Sequence, residues 1–543
     1  MSERVSAVAT QPVQWSYISG KAYDDPFSAV DLDVLFVDVA GHEWRVPAFW
    51  AGDMTWCVRF APPHTGTFQF RTVCSDATNS DLHDHRGLLE AGPYRGENPL
   101  FVHGGLRVSE NARHLQHSDG MPFFWLADTW WMALSKRLVW PDEFQLLVED
   151  RKRKGFTVIQ LVAGLFPDMA PLDTRSANEA GLAWTSGFAQ VRPAYFDMAD
   201  LRIQFLVRMG LVPCIVGCWG YYLPFMGMEA VRLHWRYLVA RYAAYPVVWC
   251  VAGEAAMPYY LSTDKKRDRA SQVAGWSTIA RYVRQIDPFR RPLTVHPTDA
   301  SRNQIDDASV LDFEMLQTGH GGHESIANTV EAIVEAVARP PRMPVVSAEV
   351  CYEGIFGGSH EEVQRIVFWA SLLSGAAGHT YGANGLWQFN RRELPFGPSP
   401  HGASWGNTSW DEAMGLPGSV HVGIGKAILE RFAWWRLEPH SEWVEPCAGP
   451  HNYKAAYAAG IPGEVRLFYF PTPICPWSRP VLLKALEADT TYEATWVDPR
   501  TGADAPLGTV TPNPDGQWRV PYPPTLEDWV LVLQSTAGTA RRA

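Results

Sequence analysis

Eight short apolar runs lie between residues 120 and 385, and longer segments with helical spacing separate them. The runs are rich in valine, isoleucine and leucine, which is typical of parallel strands buried on both faces. We predict these strands at Phe123–Ala127, Thr157–Ala163, Val212–Gly217, Val247–Ala252, Leu293–His296, Leu311–Gln317, Val345–Ala348 and Gly378–Tyr381. Eight strands with intervening helices predict an α/β fold of the TIM (β/α)8 barrel type.

The segments between the runs carry apolar residues at steps of three or four, which predicts amphipathic helices. The pattern is clearest over residues 273–286 and 363–373, and Pro141 suits the first turn of another helix. The charged run Lys265–Arg269 is expected to be a solvated loop. Residues 391–419 are rich in Gly and Pro and long for a loop, so we predict a lid or a subsite wall there.

Both ends of the chain show a different pattern, in which short alternating segments are separated by turn-rich pieces. This pattern is typical of small antiparallel β-sandwiches. It occurs at residues 33–39, 56–60, 66–74, 465–470, 491–497 and 529–534. We therefore predict an N-terminal β-sandwich over residues 1–105, a barrel over 106–430 and a small C-terminal β-sandwich over 431–543.

The charge and the composition limit the partners of the chain. Its 543 residues carry a formal charge of −11, which argues against nucleic acid or an anionic membrane as the main partner. The N-terminus lacks the apolar core of a signal peptide, and no run approaches the length of a membrane span. We therefore expect a cytoplasmic protein with a neutral or cationic ligand, and homo-oligomer formation stays open. The 24 Trp and 19 Tyr offer flat faces that suit sugar rings.

Two glutamates follow apolar runs in a way that suggests chemistry. Glu254 ends the run that begins at Pro246, and Glu349 ends the run that begins at Pro344. The strand count places them after the fourth and seventh strands, at the edge where TIM barrels build their active sites. Paired carboxylates are the reacting groups of glycoside hydrolysis. Glu353, four residues beyond Glu349, is a rival nucleophile, and its alternative role is to anchor the loop.

Four motifs at the predicted strand ends resemble those of one family of glycoside hydrolases. They are Phe124-Trp-Leu-Ala-Asp128-Thr-Trp130-Trp131, Trp249-Cys-Val-Ala-Gly-Glu254, Glu349-Val-Cys-Tyr352-Glu353-Gly354 and Gly378-His379-Thr-Tyr381-Gly382-Ala-Asn384-Gly385-Leu-Trp387. They are similar to motifs of the apiosidase-like (β/α)8 barrels of clan A, glycoside hydrolase family 140 and its relatives. The resemblance implies a retaining mechanism with Glu254 as acid/base and Glu349 as nucleophile, and flanking β-domains. Gly253 departs from the pattern, because many clan members carry there an asparagine that contacts the sugar 2-hydroxyl.

Polar and aromatic residues near the predicted strand ends are candidates for binding the sugar. They are Asp128, Trp130, Trp131, Gln160, Trp219, Tyr221, His296, Gln317, His320, Tyr352, His379, Tyr381 and Trp387. No cofactor is expected. A metal site is not predicted, because no Cys-x-x-Cys pair occurs and the first predicted strand carries no His-x-His pair. His320 and His323 lie close together, but two ligands do not make a site.

The sequence therefore predicts a retaining glycoside hydrolase that removes a terminal sugar by double displacement, with furanoses among the candidate sugars. Glu349 should then be ionised near neutral pH, and Glu254 should have a raised pKa. Three alternatives stay open. A transglycosylase would use the same glycosyl-enzyme, a scaffold or carbohydrate-binding protein would bind without turnover, and a metal-dependent barrel hydrolase would depend on a bound cation.

Overall fold

The structure is a computed structural model that describes residues 3–472, 474 and 480–536. Its centre is a sheet of eight parallel strands, which confirms the predicted TIM barrel and all eight of its strands. The strands are β1 (Trp125–Thr129), β2 (Val158–Val162), β3 (Val212–Val216), β4 (Val248–Cys250), β5 (Leu293–Thr294), β6 (Glu314–Gln317), β7 (Val345–Glu349) and β8 (Gly378–Tyr381). Nearly every residue in them is buried, which explains why the sequence shows continuous apolar runs instead of alternation.

The barrel strands follow one another in space in the order β5, β4, β3, β2, β1, β8, β7 and β6. The seam between β5 and β6 is bridged by hydrogen bonds of single residues instead of a ladder, and in one of them the Leu293 amide donates to the Asp312 carboxylate at 2.8 Å. The amide of Asp312 donates to the carbonyl of Leu293 at 2.9 Å, and the Thr294 hydroxyl donates to the carbonyl of Phe313 at 2.9 Å. Between β5 and β6 the described chain forms only two 3-10 turns, at Ser301–Asn303 and Ala308–Val310, in place of the predicted helix.

Helices surround the barrel and fill the connections between its strands. In the barrel region they are Asp142–Arg153, Pro193–Arg208, Tyr222–Tyr242, Lys265–Ile286, Glu324–Ala338, Glu361–Leu373, Trp410–Met414 and Gly418–Leu429. The helices predicted over residues 273–286 and 363–373 are confirmed, and Pro141 stands at the N-cap position of Asp142–Arg153.

The predicted loop at Lys265–Arg269 is wrong, because these residues begin the helix Lys265–Ile286. The side chain of Asp264 accepts a hydrogen bond from the amide of Arg267 at 3.0 Å and so caps the first turn. Most of the charged run is exposed, so its solvation was predicted correctly while its conformation was not.

The N-terminal region forms two facing sheets. One contains Glu3–Val8, Leu32–Asp38, Glu43–Pro47, Gly66–Cys74 and Arg86–Gly92, and the other contains Val13–Ile18, Phe49–Gly52 and Thr55–Phe60. The expected sandwich is therefore present, but it is not wholly antiparallel, because Glu3–Val8 pairs in parallel with Arg86–Gly92. Two short helices, Pro26–Ala29 and Pro99–Val102, and a small sheet of Leu106–Val108, Leu115–His117 and Pro122–Phe123 lead into the barrel.

A buried charged network ties the N-terminal sandwich to the barrel helices. Arg59, on strand Thr55–Phe60, pairs with Asp200 and donates to the carbonyl of Arg241 at 2.6 Å. Arg241 donates to the other oxygen of Asp200 at 3.1 Å. Arg241 also pairs with Asp197, so removing Asp200 would take the one paired carboxylate from buried Arg59 and leave Arg241 with Asp197 alone.

The C-terminal region also forms two sheets. One contains Glu438–Pro439, Tyr457–Ile461, Val465–Phe470, Tyr492–Val497, Asp504–Val510 and Trp529–Ser535, and the other contains Val444–Glu445, Leu482–Leu483 and Trp518–Arg519. A turn at residues 498–502 joins an antiparallel pair of strands. Arg365 on a barrel helix binds Asp528 through two hydrogen bonds of 2.8 and 2.9 Å, which fixes this region to the barrel. The exact domain boundaries stay predictions, and residues 473, 475–479 and 537–543 lie outside the described residues.

None of the helices in the described part of the chain is long and apolar enough to cross a lipid bilayer.

Candidate active site

A pocket opens at the carboxyl ends of the barrel strands, and both Glu254 and Glu349 line it. Glu349 is the last residue of β7, and Glu254 lies four residues beyond the end of β4. The cavity has a volume of about 210 Å³, which is below the range of about 300–1,000 Å³ typical of pockets for drug-sized ligands. Its other lining residues are Trp131, Pro167, Asp168, Trp219, Met257, Tyr260, Gln317, His320, Tyr352, Ile355, Trp387, His401 and Trp405.

Glu349 is held by imidazoles. Its side chain is buried, and its Oε1 atom lies 2.9 Å from Nε2 of His320. Because a carboxylate can only accept, this nitrogen carries the proton and donates. His296 Nε2 lies 3.5 Å from the other oxygen. Burial alone would raise the pKa of Glu349, but His320, His296 and the hydroxyl of Tyr352 together hold it below its usual value. Glu349 is therefore ionised at neutral pH.

Glu254 has neutral partners. The Gln317 amide donates to its Oε1 atom at 3.1 Å, and the Trp219 indole donates to its Oε2 atom at 3.1 Å. Burial raises the pKa of Glu254 to about 7, with a further contribution from the negative charge of Glu349. The two hydrogen bonds act in the opposite direction but do not offset burial. Glu254 thus changes its charge near neutral pH.

The backbone around Glu254 is fixed by close packing. Glu254 adopts a φ of 41°, in the left-handed region that costs a non-glycine residue roughly 1–3 kcal/mol. Gly253 before it packs against the face of Trp219, and a Cβ atom at position 253 would lie only 2.2 Å from that ring. An asparagine at this position therefore has no room, since the Trp219 ring occupies the space.

Aromatic rings form the walls of the pocket. Trp131 meets Trp219 edge to face at 5.4 Å between ring centroids, and Trp387 lies 6.2 Å from Tyr352 in a stacked arrangement. Trp405 meets Trp387 edge to face at 6.0 Å. Such flat, mostly apolar walls around a few polar groups suit the faces of a sugar ring.

Seven of the predicted binding residues meet at or beside this pocket. Trp131, Trp219, Gln317, His320, Tyr352 and Trp387 line it, and His296 is buried directly behind Glu349. Tyr352 is itself held in place, since the Trp131 indole donates to its hydroxyl at 3.1 Å.

The other predicted binding residues lie elsewhere, and three of them are structural residues in or directly after the first two strands. Asp128 is fully buried and forms an ion pair with Arg151 at 2.6 Å. The indole of Trp130 donates to the same carboxylate at 2.8 Å, so it also points away from the pocket. Gln160 is fully buried and donates to the carbonyl of Ala348 at 3.0 Å. Their assignment to sugar binding is corrected by these contacts.

Tyr221, His379 and Tyr381 are also fully buried outside the pocket. The Tyr221 hydroxyl donates to the carbonyl of Phe166 at 2.9 Å. His379 packs edge to face on Phe368, and burial lowers its pKa to about 3, so it stays neutral. Tyr381 donates to Glu353. His379 therefore faces a helix, whereas Tyr221 and Tyr381 bind loop residues, and none of the three lines the pocket.

Glu353, the rival nucleophile, anchors the loop. It is 2% exposed and does not line the pocket. Its carboxylate accepts from the Tyr381 hydroxyl and, at 3.0 Å, from the amide of Gly418 at the start of helix Gly418–Leu429. A carboxylate at a helix N-terminus is favoured by the unpaired amides and the helix dipole.

Several pocket residues escaped prediction because they lie in loops beyond the strand ends. Asp168 lies in the loop after β2, Met257 and Tyr260 follow Glu254, and His401 and Trp405 belong to the segment 391–419. The length of that segment was the one signal that pointed to His401 and Trp405, and no comparable signal pointed to Asp168, Met257 or Tyr260. His323, by contrast, pairs with Glu362 at 3.4 Å and does not line the pocket. No group of three metal-ligating side chains occurs within residues 3–472, 474 and 480–536.

Solved structures of glycoside hydrolases share this architecture. One, described only as a glycoside hydrolase, has a TM-score of 0.67 at 22% identity and covers 82% of this chain and 99% of its own. A glycoside hydrolase family 5 protein from Bacteroides vulgatus ATCC 8482 has a TM-score of 0.66 at 23% identity and covers 82% and 96%. A putative glycoside hydrolase from the same strain has a TM-score of 0.70 at 16% identity and covers 98% and 100%. The fold is thus that of the glycoside hydrolase barrels.

Sequence comparison identifies the family. A family model described as an apiosidase-like catalytic domain matches residues 109–436, which is more than half of the chain. A model for a domain of unknown function, DUF5060, matches residues 10–75 in the N-terminal sandwich. No curated protein matches the chain. The chain belongs to the apiosidase-like family, as the four strand-end motifs suggest, and it is a glycosidase that acts on a carbohydrate.

Proposed function

We propose that the protein is a retaining glycoside hydrolase in which Glu349 is the nucleophile and Glu254 is the acid/base. One observation carries this assignment. Two carboxylates line one small pocket, and their pKa values are displaced in opposite directions, below the usual value for Glu349 and to about 7 for Glu254. Two titratable groups whose environments separate their pKa values are the expected arrangement for a base or nucleophile next to an acid.

In the first step the Glu349 carboxylate attacks the anomeric carbon of the bound sugar. The bond between that carbon and the glycosidic oxygen breaks, and Glu254 gives its proton to the leaving oxygen. The His320 hydrogen bond keeps Glu349 ionised and orients its Oε1 atom. The Oε2 atom lies next to His296 and is the other oxygen that could attack the anomeric carbon. The products of this step are a glycosyl ester of Glu349 and the released alcohol.

In the second step Glu254 acts as a base. Ester formation removes the charge of Glu349, which is one of the causes that raise the pKa of Glu254. The pKa of Glu254 therefore falls, and its carboxylate can take a proton from water as that water attacks the anomeric carbon. The ester bond breaks, the free sugar leaves, and both glutamates return to their first state.

We further propose exo action on a single terminal sugar. The cavity of about 210 Å³ is small, and the loop residues His401, Trp405 and Ile355 line it. A small pocket admits one ring more readily than the middle of a chain. The apiosidase-like description of the matching family supports a furanose as that ring.

Product analysis tests this function. Wild-type protein would be incubated with a panel of nitrophenyl furanosides and pyranosides, and the anomers formed first would be followed by NMR. We expect the first product to keep the anomeric configuration of the substrate. Inversion would contradict the double displacement, transfer to added alcohol without net hydrolysis would favour a transglycosylase, and tight binding of a sugar without turnover would favour a scaffold.

A further inference from the structure

A third acidic side chain lines the pocket and has no part in the two steps above. Asp168 lies in the loop after β2 and is 7% exposed. Its backbone φ is 55°, in the left-handed region that aspartate and asparagine tolerate better than most residues. It stands on the Glu254 side of the pocket, since its backbone amide bonds to Tyr260, which lies in the loop that follows Glu254.

The neighbours of Asp168 orient it as a hydrogen-bond acceptor. The indole of Trp405 donates to the Ser399 hydroxyl at 3.2 Å, and that hydroxyl donates in turn to Oδ1 of Asp168. The backbone amide of Asp168 donates to the Tyr260 hydroxyl at 3.2 Å. His401 stacks on Tyr260 with 5.0 Å between ring centroids. Three loops therefore converge to hold one carboxylate at the pocket wall.

No cation neutralises this carboxylate directly. None of the ion pairs in the described part of the chain includes Asp168, and the nearby Arg175 pairs with Asp173 at 2.8 Å instead. Burial raises the pKa of Asp168, and the hydrogen bonds from Ser399 and Tyr260 oppose this rise only in part. A buried carboxylate without a cation is costly unless donors surround it, so further donors would stabilise its charged form. Sugar hydroxyls are donors of this kind, and their hydrogen bonds to a charged acceptor are stronger than those to a neutral one.

The charges around the cavity also limit which sugars can bind, because they disfavour a sugar that carries a negative charge. Three carboxyl groups, those of Asp168, Glu254 and Glu349, face two imidazoles, those of His320 and His401. Among the residues that the structure describes, neither an arginine nor a lysine lines the cavity. A uronic acid or a sulfated sugar would bring a further negative charge into this space and find no guanidinium to bind it.

We propose, as an extension of the proposed function, that Asp168 binds hydroxyl groups of the substrate sugar and makes the pocket selective for uncharged sugars over anionic ones. Asp168 is then a specificity-determining residue, and Ser399 is a positioning residue that acts through it.

The test compares Asp168→Asn with wild type on three kinds of substrate. They are the best nitrophenyl glycoside of the panel, its monodeoxy analogues and the corresponding uronide. Asparagine suits the left-handed backbone and keeps the size of the side chain, but it removes the charge and replaces one acceptor oxygen by an NH2 donor. In wild type we expect kcat/KM to fall about 10–100-fold for the analogue that lacks the contacted hydroxyl. In Asp168→Asn this penalty should drop below about tenfold. The kcat/KM for the uronide, divided by that for the neutral glycoside, should rise about tenfold.

Two further variants separate contact from loop structure. Ser399→Ala keeps the carboxylate but loses its orienting partner, so we expect a deoxy penalty between those of wild type and Asp168→Asn. Asp173→Asn is the matched control, because Asp173 lies in the same loop but outside the pocket, and its deoxy penalty should equal that of wild type. Thermal melting of each variant would establish that it is folded.

The outcomes distinguish this proposal from the function on which it rests. If wild type cleaves a neutral glycoside and Asp168→Asn keeps the full deoxy penalty and the full preference against the uronide, Asp168 is not the specificity determinant and the mechanism is untouched. The same conclusion follows if Asp173→Asn changes both ratios as much as Asp168→Asn does. If wild type cleaves no glycoside of the panel, the proposed function fails and the role of Asp168 fails with it.

Discussion

Glu254 and Glu349 are the same amino acid at the same edge of one barrel, yet their surroundings differ in kind. Glu349 is bound by the imidazole of His320 and lies beside His296, whereas Glu254 is bound by an amide and an indole. Burial raises the pKa of both, but only at Glu349 do the neighbours, which are the two imidazoles and the Tyr352 hydroxyl, outweigh burial. The comparison teaches that the strand end places a carboxylate, while its immediate neighbours decide whether it is charged.

The largest expected effect comes from Glu349→Gln, which removes the attacking oxygen but keeps the size of the side chain. We expect kcat/KM to fall by about 10⁴-fold or more in steady-state assays with a nitrophenyl glycoside. Glu353→Gln is the matched control, because Glu353 is four residues away and contacts Tyr381 and Gly418 outside the pocket. It should lower the melting temperature and keep most of the activity; a larger loss of activity in Glu353→Gln than in Glu349→Gln would reverse the roles of these glutamates.

Glu254→Gln should have the next largest effect, and the effect should depend on the leaving group. Loss of a general acid costs about 10²–10⁴-fold when the leaving oxygen needs a proton. We therefore expect a large drop for alkyl glycosides and a much smaller drop in the first step for nitrophenyl glycosides, measured as kcat/KM. A drop of the same size for both classes would argue against Glu254 as the proton donor.

A smaller effect is expected on the acidic side of the pH profile. Activity needs ionised Glu349, so it is lost as pH falls through the pKa of that residue, which lies below the usual value. His320→Ala removes the strongest of the groups that lower this pKa. The acidic limb of kcat/KM should then move to higher pH by about one unit, which corresponds to about 1.4 kcal/mol. An unmoved limb would show that His320 does not control the charge of Glu349.

The smallest effect is expected on the basic side of the pH profile of kcat/KM. Activity needs protonated Glu254, so it is lost as pH rises through its pKa of about 7. Gln317→Leu and Trp219→Phe each remove a hydrogen bond that favours the ionised form, and the phenylalanine keeps a ring against Gly253. The basic limb should move to higher pH by about half a unit to one unit in each variant. A shift to lower pH would mean that these donors do not act on Glu254.

The barrel could be predicted because its strands are buried on both faces and so appear as continuous apolar runs. Glu254 and Glu349 followed from the strand count. The sequence did not tell which way a strand-end side chain points, and so Asp128 and His379 were placed in the pocket although they are buried against helices. Asp168 and His401 were missed because loop geometry brings them to the pocket. No local pattern encodes that convergence, which depends on contacts such as that between Ser399 and Asp168.

Azide rescue tests the division of roles between the two glutamates most directly. Glu349→Ala and Glu254→Ala would each be given an activated glycoside together with sodium azide, and the glycosyl azides would be identified by NMR. In Glu349→Ala azide should take the place of the lost nucleophile and give a glycosyl azide of inverted configuration. In Glu254→Ala azide should attack the glycosyl ester of Glu349 and give a glycosyl azide of retained configuration. The opposite pair of configurations, or the same configuration from both variants, would contradict the assignment.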